Sequence, residues 1–301
     1  MDNAIKHHLN KSIISREQLT GGYTFSTWLL TLSDNQKVVF RHQYDFDDNS
    51  GGKILIADIL NREKFFYDNV NRNIGRVCPE VYVVDGTKEY FEHSFCIMEY
   101  IEGVNLNDCF NDYDFSMQNK IRYQIGKIAA QINSIQINNN HPYIIQRGKW
   151  EDYIANKLRD RFIPLINCDV ISKDEADIIT GRMLHKKASK TLSYLHLDMR
   201  RINMIFRDGQ IYIIDAENCE FGDPLRELAV IDCGNELDDI LLDGYKSVYG
   251  DINIDDELFY FYKMERMALV LHVFMNVVKT ETELTRMYLE IFNSLKKKLT
   301  E

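Results

Sequence analysis

Proline and glycine are scarce in this 301-residue chain, at four and fifteen residues. So little chain punctuation leaves small room for disordered linkers. Cysteine is sparse too. The six thiols, Cys78, Cys96, Cys109, Cys168, Cys219 and Cys233, form no Cys-x2-Cys pair and do not cluster with histidine. That pattern argues against a zinc-type site or a disulfide framework, and it reads as the reduced thiols of a cytoplasmic protein. Long hydrophobic runs are missing as well. The most apolar stretch, residues 267–278, is flanked by Glu265 and Arg266 and falls short of the roughly 20 residues a membrane helix needs. Residues 1–11 are polar, so no secretory leader and no membrane partner are expected. An excess of positive charge is also lacking: 36 Lys and Arg stand against 46 Asp and Glu, a net charge of −10. This argues against a nucleic-acid backbone as partner, since that needs a basic face. It suits a cationic ligand, and an acidic soluble surface accounts for it equally well. What remains is an ordinary globular composition, 45% hydrophobic and 27% charged, long enough for one large domain or two lobes. No internal repeat or low-complexity segment is present.

The informative stretch is residues 194–224, YLHLDMRRINMIFRDGQIYIIDAENCEFGDP. Met204-Ile205-Phe206 and Ile211-Tyr212-Ile213-Ile214 are apolar, β-favouring runs, and Asp208-Gly209 between them is a strong hairpin signal. The hairpin carries Asn203 at its entry and Asp215 at its exit, so folding brings the two together. Asp198 lies just before, in a loop opened by His196. Two carboxylates and a carboxamide thus gather at one end of a ribbon. All are oxygen donors, which suit Mg²⁺ together with phosphate. A phosphotransferase needs that layout: one Asp to orient and deprotonate a hydroxyl, an Asn and a second Asp to hold the metal. Taken singly, Asp198 reads equally as a turn residue and Asp215 as a strand cap.

The pattern His196-x-Asp198-x4-Asn203, then Asp215, then Gly222-Asp223-Pro224 resembles the signature of aminoglycoside phosphotransferases and their choline-kinase-like relatives. Two residues depart from it. Leu197 stands where the family usually has Gly, and Glu227 stands where many members carry Asp. The resemblance implies an α+β protein-kinase-like fold with two lobes. Residues 1–102 would form a β-rich nucleotide-binding lobe, with a hinge near 99–103, and residues 104–301 a helical lobe. It further implies Asp198 as catalytic base, Asn203 and Asp215 as Mg²⁺ ligands, and His196 as the residue that orients the catalytic loop. Gly21-Gly22 would cover the nucleotide phosphates, although a hairpin turn alone explains these glycines. Arg41, ending a KVVFR strand, would hold the phosphates, steadied by Glu63. Backbone groups near Glu99 and Ile101 would bind the purine of ATP or GTP.

Elsewhere the chain reads as scaffold. A β-meander is expected over residues 12–43, a helix over 53–70, and strands over 80–84 and 94–98. In the second lobe, Ile121, Ile125, Ile128, Ile132 and Ile135 stripe a helix expected from about 116 to 137. A helix from Trp150 to Phe162 should be ended by Pro164. Ser172-x-x-Glu175 is a capping box, residues 258–278 form an apolar central helix, and Thr280-x-x-Glu283 opens the last one. The stretch 235–257 is rich in carboxylates. Glu236, Asp238 and Asp239 are its candidates for binding a cationic acceptor, and a solvated face explains such a stretch too. An aminoglycoside is the first choice of acceptor. Choline, homoserine, a sugar or another amino-alcohol, or a nucleotide-binding pseudokinase, are the alternatives. The oligomeric state stays open.

Overall fold

The computed structural model describes residues 1–19, 25–47, 53–136, 149–187, 192–278 and 283–301. Gly21, Gly22 and Thr280 therefore lie outside the described residues. In chain order the elements are α1 (Asp2–Leu9), β1 (Ile13–Leu19), β2 (Ser26–Leu32), β3 (Lys37–Gln43), β4 (Phe46–Asp47), β5 (Lys53–Ile54), α2 (Ile56–Ile74), β6 (Val81–Asp85), β7 (Ser94–Glu99), β8 (Val104–Asn105), α3 (Leu106–Cys109), α4 (Phe115–Asn133), α5 (Trp150–Ile166), α6 (Lys173–Met183) and β9 (Ser193–Leu195). They continue as β10 (Met204–Arg207), β11 (Gln210–Ile213), β12 (Glu220–Gly222), α7 (Pro224–Cys233), α8 (Asp239–Tyr249), α9 (Glu257–His272) and α10 (Glu283–Thr300). Contacts divide the chain into two compact units. One holds Met1–Asp114 with Arg201–Cys219, the other Phe115–Arg200 with Glu220–Glu301.

The first unit is built on an antiparallel sheet in the order β1-β2-β3-β7-β6. Alternation along β3 explains its two faces. Val38 and Phe40 join Leu30, Leu32, Phe95 and Ile97 beneath Ala4 and Ile5 of α1, with Phe40 stacked on Phe95 at 4.9 Å. Arg41, the residue after Phe40, points away from this cluster to Glu63 of α2, a helix packed on β6 and β7. The expected hairpin is present. β10 and β11 pair from Met204↔Ile213 to Arg207↔Gln210, and Asp208 and Gly209 both take positive φ, 53° and 79°. A two-residue turn of the I′ kind demands this of both positions. The sequence-based boundary near residue 103 places this hairpin in the second lobe. The contacts group it with the first unit, because β10 also pairs with β8.

The second unit is helical. The Ser172 capping box forms in full: Glu175 N–H donates to Ser172 Oγ at 3.2 Å, and Ser172 N–H to Glu175 Oε2 at 2.8 Å. Pro164 does not end its helix at Phe162. α5 runs on to Ile166 with Pro164 inside it. Only the last turn meets the missing N–H, Leu165 there is fully buried, and Asn167 N–H still reaches the Ile163 carbonyl at 3.2 Å. The expected helix over 258–278 is α9 followed by a π-helical turn, Val273–Val278. No helix among the described residues is long and apolar enough to cross a membrane.

α4 and α8 meet at two glycines. A Cβ on Gly126 would lie 1.9 Å from the Leu241 carbonyl oxygen, and one on Gly244 2.1 Å from that of Tyr123. Backbone touches backbone there, so no rotamer change can make room. Gly126→Ala gains about 1 kcal/mol of helix propensity and still is expected to destabilise the protein by about 2–3 kcal/mol through overpacking. A urea-unfolding midpoint that stays put or rises would show that the helices separate at little cost.

Candidate active site

In the first unit the site begins with Arg41. Strand alternation places it on the α2 side of β3, and it is almost wholly buried. A buried guanidinium must be paired, and Arg41 has two carboxylates. Its Nη1 donates to Glu63 at 2.8 and 3.1 Å, and its Nη2 to Asp215 Oδ1 at 2.9 Å. Phe25 lies under the guanidinium, with 4.4 Å between its ring centroid and the central carbon. Burial alone would lower the Arg41 pKa, but Glu63 and then Asp215 outweigh it and hold the side chain charged. Glu63, buried in α2, is itself fixed. It accepts from the Tyr67 hydroxyl at 2.8 Å and from Ala216 N–H at 3.2 Å. The helix and the residue after Asp215 are thereby joined through one carboxylate.

Asn203 and Asp215 are held together by the hairpin they flank, since Ile214 N–H donates to the Asn203 carbonyl at 3.0 Å. Asp215 adopts a left-handed backbone, φ 64°. Its side chain is about one-third exposed, and among the described residues Arg41 engages it through Oδ1 alone. Among the described residues no group of three or more His, Cys, Asp or Glu could hold a metal by itself. That donor set fits Mg²⁺, which takes one or two carboxylates and completes its shell with substrate phosphates and water.

In the second unit, Asp198 follows β9, which pairs with β12. The Asp198 carboxylate is nearly buried. Oδ1 accepts from Arg200 Nε at 2.6 Å and from Arg266 Nη2 at 3.0 Å, and Oδ2 accepts from Arg200 Nη2 at 3.1 Å. Burial would raise its pKa, yet Arg266 and then Arg200 outweigh burial and hold it down at about 2. Asp198 is thus an ionised acceptor at neutral pH. The fully buried His196 accepts from Asp198 N–H at 3.2 Å through Nδ1, so in this contact the ring nitrogen acts as an acceptor.

Glu227, one turn into α7, closes the loop from below. It accepts from His196 N–H at 2.5 Å and from Leu197 N–H at 2.9 Å. Complete burial pushes its carboxyl up to about 7, against the pull of those two donors. Leu197 holds a left-handed φ of 60°, while its side chain packs with Leu195 and Val230. The two departures from the family pattern, at 197 and 227, therefore touch each other. Glu227→Gln would set an amide donor against one of these N–H groups. A buried N–H without an acceptor costs about 1–3 kcal/mol, and a loop displaced by about 1 Å can cost 10²-fold in rate. Melting temperature and turnover should fall together. A variant that melts like the wild type and turns over normally would remove Glu227 from the loop's support.

Glu99 ends β7. Its N–H donates to the Glu80 carbonyl at 2.8 Å, and its side chain pairs with Arg76. Ile101 is buried just beyond. Asp238 caps α8, accepting from Leu241 N–H at 2.8 Å, and pairs with Arg122 at 3.2 Å. Asp239 opens the same helix. Glu236 acts electrostatically on Arg200. Arg41, Glu63, Asn203 and Asp215 come together in the first unit, and His196 with Asp198 in the second. Arg200, Arg266 and Glu227 escaped the sequence reading as functional residues. Arg200, two residues from Asp198, was open to inference from its position. Arg266 carried no signal.

No curated protein matches the sequence. The fold has clear relatives among solved structures. A candidate fructosamine-3-kinase from Haemophilus somnus 129PT superposes with a TM-score of 0.74 at 15% identity, covering 100% of this chain and 96% of its own. A thermostable mutant of aminoglycoside phosphotransferase APH(4)-Ia gives 0.70 at 15% identity, covering 99% of each chain. APH(2'')-Ib, solved with ADP bound, gives 0.64 at 16% identity, covering 100% of this chain and 99% of its own. The sequence pattern of the phosphotransferase enzyme family matches residues 15–260. With a sheet-built unit, a helical unit and that match over most of its length, the chain belongs to the phosphotransferase enzyme family and has its protein-kinase-like fold.

Proposed function

We propose that the protein transfers the γ-phosphoryl group of ATP or GTP to a hydroxyl of a small, cationic acceptor. The observation that carries this reading is Arg41, buried and charged, bridging Glu63 and Asp215, with Asn203 bonded through its carbonyl to the residue before Asp215. Such a cation suits donor phosphates, and its two carboxylates keep it oriented before any ligand arrives. Asn203 and Asp215 would hold Mg²⁺, which supplies charge neutralisation at the phosphate oxygens. Asp198 accepts the proton of the acceptor hydroxyl as that oxygen bonds to the γ-phosphorus. The bond from the γ-phosphorus to the bridging oxygen breaks, and the nucleoside diphosphate leaves with the electron pair. Positioning and electrostatics carry such a reaction; no covalent intermediate is needed. Glu99, whose N–H is already bonded to Glu80, would meet the purine through its carbonyl, with Ile101 N–H beyond it. Gly21 and Gly22 would lie over the phosphates.

The solved relatives are described as aminoglycoside phosphotransferases and a candidate fructosamine kinase, so aminated sugars come first and aminoglycosides lead. Glu236, Asp238 and Asp239 would face the amines. A cytoplasmic setting supplies the nucleotide. The test is a coupled assay with Mg²⁺, ATP or GTP, and a panel of aminoglycosides, glycated amines, choline, ethanolamine and homoserine. Turnover on an aminated sugar is the expected result. Turnover confined to choline or homoserine would move the assignment to that class. Nucleotide binding without turnover on any acceptor would favour the pseudokinase.

A further inference from the structure

Nothing in the family pattern points to Arg266, 68 residues from Asp198 in the chain. Its guanidinium nevertheless meets the Asp198 carboxylate at 3.0 Å, and both side chains are about nine-tenths buried. The helix that carries it cannot turn away. The preceding residue, Glu265, is buried and pairs with Arg226 of α7 at 3.0 Å and with Arg161 of α5 at 2.5 Å. Met264 and Met267 are buried on either side of this pair. So α9 is locked in rotation, and the position of Arg266 follows from the lock. Arg200 differs. It sits in the catalytic loop itself, and its side chain is almost one-third exposed. It can follow the loop if the loop moves; Arg266 cannot.

Resting on the reading of Asp198 as the base, we propose that Arg266 is its positioning residue: an arm from α9 that fixes the direction of the Asp198 carboxylate. A general base must meet its proton within hydrogen-bond reach and at a set angle. Bonds from Glu227 to the backbone of the loop do not set that angle for a side chain one residue further on. A guanidinium fixed from a separate, packed helix does. The charged and titratable groups around Asp198 are Arg200 in its own loop, Arg266 from α9, His196 before it and Glu227 from α7. Arg266 heads the charges that oppose burial and keep Asp198 ionised.

The test uses the full chain with Arg266→Gln and Arg266→Lys. In Arg266→Gln, kcat should fall about 30-fold or more with the nucleotide KM unchanged. The acidic limb of its pH–rate profile should move up by about one pH unit, as expected on losing an adjacent opposite charge. Arg266→Lys keeps the charge on a single point without the planar fork. It should therefore keep the limb in place and restore kcat only in part. A ¹³C titration of the Asp198 carboxyl, assigned with Asp198→Asn, reads the same contact without turnover. Between pH 7 and 3 it should remain ionised in the wild type and begin to protonate in Arg266→Gln. Wild-type kcat and an unmoved titration in Arg266→Gln would overturn the proposal. A wild type silent on every acceptor would remove the base reading and leave the contact to be judged by the titration. Should Arg266→Gln not fold, wild-type kcat in Arg266→Lys overturns the proposal.

Discussion

Asp198→Asn is expected to cut turnover by roughly 10³-fold, within the range a general base supplies, while nucleotide affinity stays within about twofold. Asparagine keeps the shape of the side chain and can still accept one hydrogen bond from Arg200 or Arg266. It cannot take the acceptor's proton. It also removes the negative charge that both guanidinium groups pair with, so stability should fall as well. Holding the carboxyl at about 2 in place of its usual 3.8 corresponds to roughly 2 kcal/mol at neutral pH. The sign follows from the depressed pKa. The contribution is present above pH 3.8 and fades as the pH falls towards 2. The gap in melting temperature between wild type and variant should therefore be widest near pH 7 and narrow at pH 3. Full activity in the variant would remove Asp198 from the chemistry. A gap independent of pH would show that the loss is one of packing.

Arg41→Met should have the second large effect. Removing one partner of a buried ion pair typically costs 3–5 kcal/mol, because the other charge stays behind. Here Glu63 stays buried, still accepting from Tyr67 and Ala216, and Asp215 loses its tether. Nucleotide binding should be lost and the urea midpoint should fall steeply. The double variant Arg41→Met/Glu63→Gln removes the stranded charge, so it should recover much of the stability and none of the turnover. If the single and double variants are equally stable, the cost lies elsewhere than in Glu63. A nucleotide affinity unchanged in Arg41→Met would take Arg41 out of phosphate binding.

Local signals in the sequence were reliable where chemistry and chain geometry coincide. The Asp208-Gly209 turn determines which strand ends meet, so the neighbourhood of Asn203 and Asp215 was legible from thirteen residues of chain. The Ser172 capping box was legible for the same reason. Arg41 and Glu63 lie 22 residues apart, and only resemblance linked them. Arg266 is 68 residues from Asp198, and no local rule reaches that far. Glu227 stood out only as a departure from a pattern, and its two bonds to the His196 and Leu197 N–H groups explain why a carboxylate sits there. The acidic stretch shows the opposite limit. Asp256 caps a helix through the Leu258 N–H group, and Glu257 pairs with Arg182 and Lys186. Composition cannot separate such structural carboxylates from ones that meet a ligand. Pro164 misled because a proline's cost depends on how much helix lies beyond it, which a sequence does not state.

The crossing of α4 and α8 bears on how far this chain can drift. Solved relatives share its fold at about 15% identity, so most positions tolerate exchange. Side chains can repack around a new neighbour; two backbones in contact cannot. Gly126 and Gly244 are thus positions where mutation must wait for the whole helix pair to move apart. Descendants of this chain that lose one glycine should be found with a respaced helix pair and a refilled interface, as a coordinated set of changes rather than a single accepted substitution.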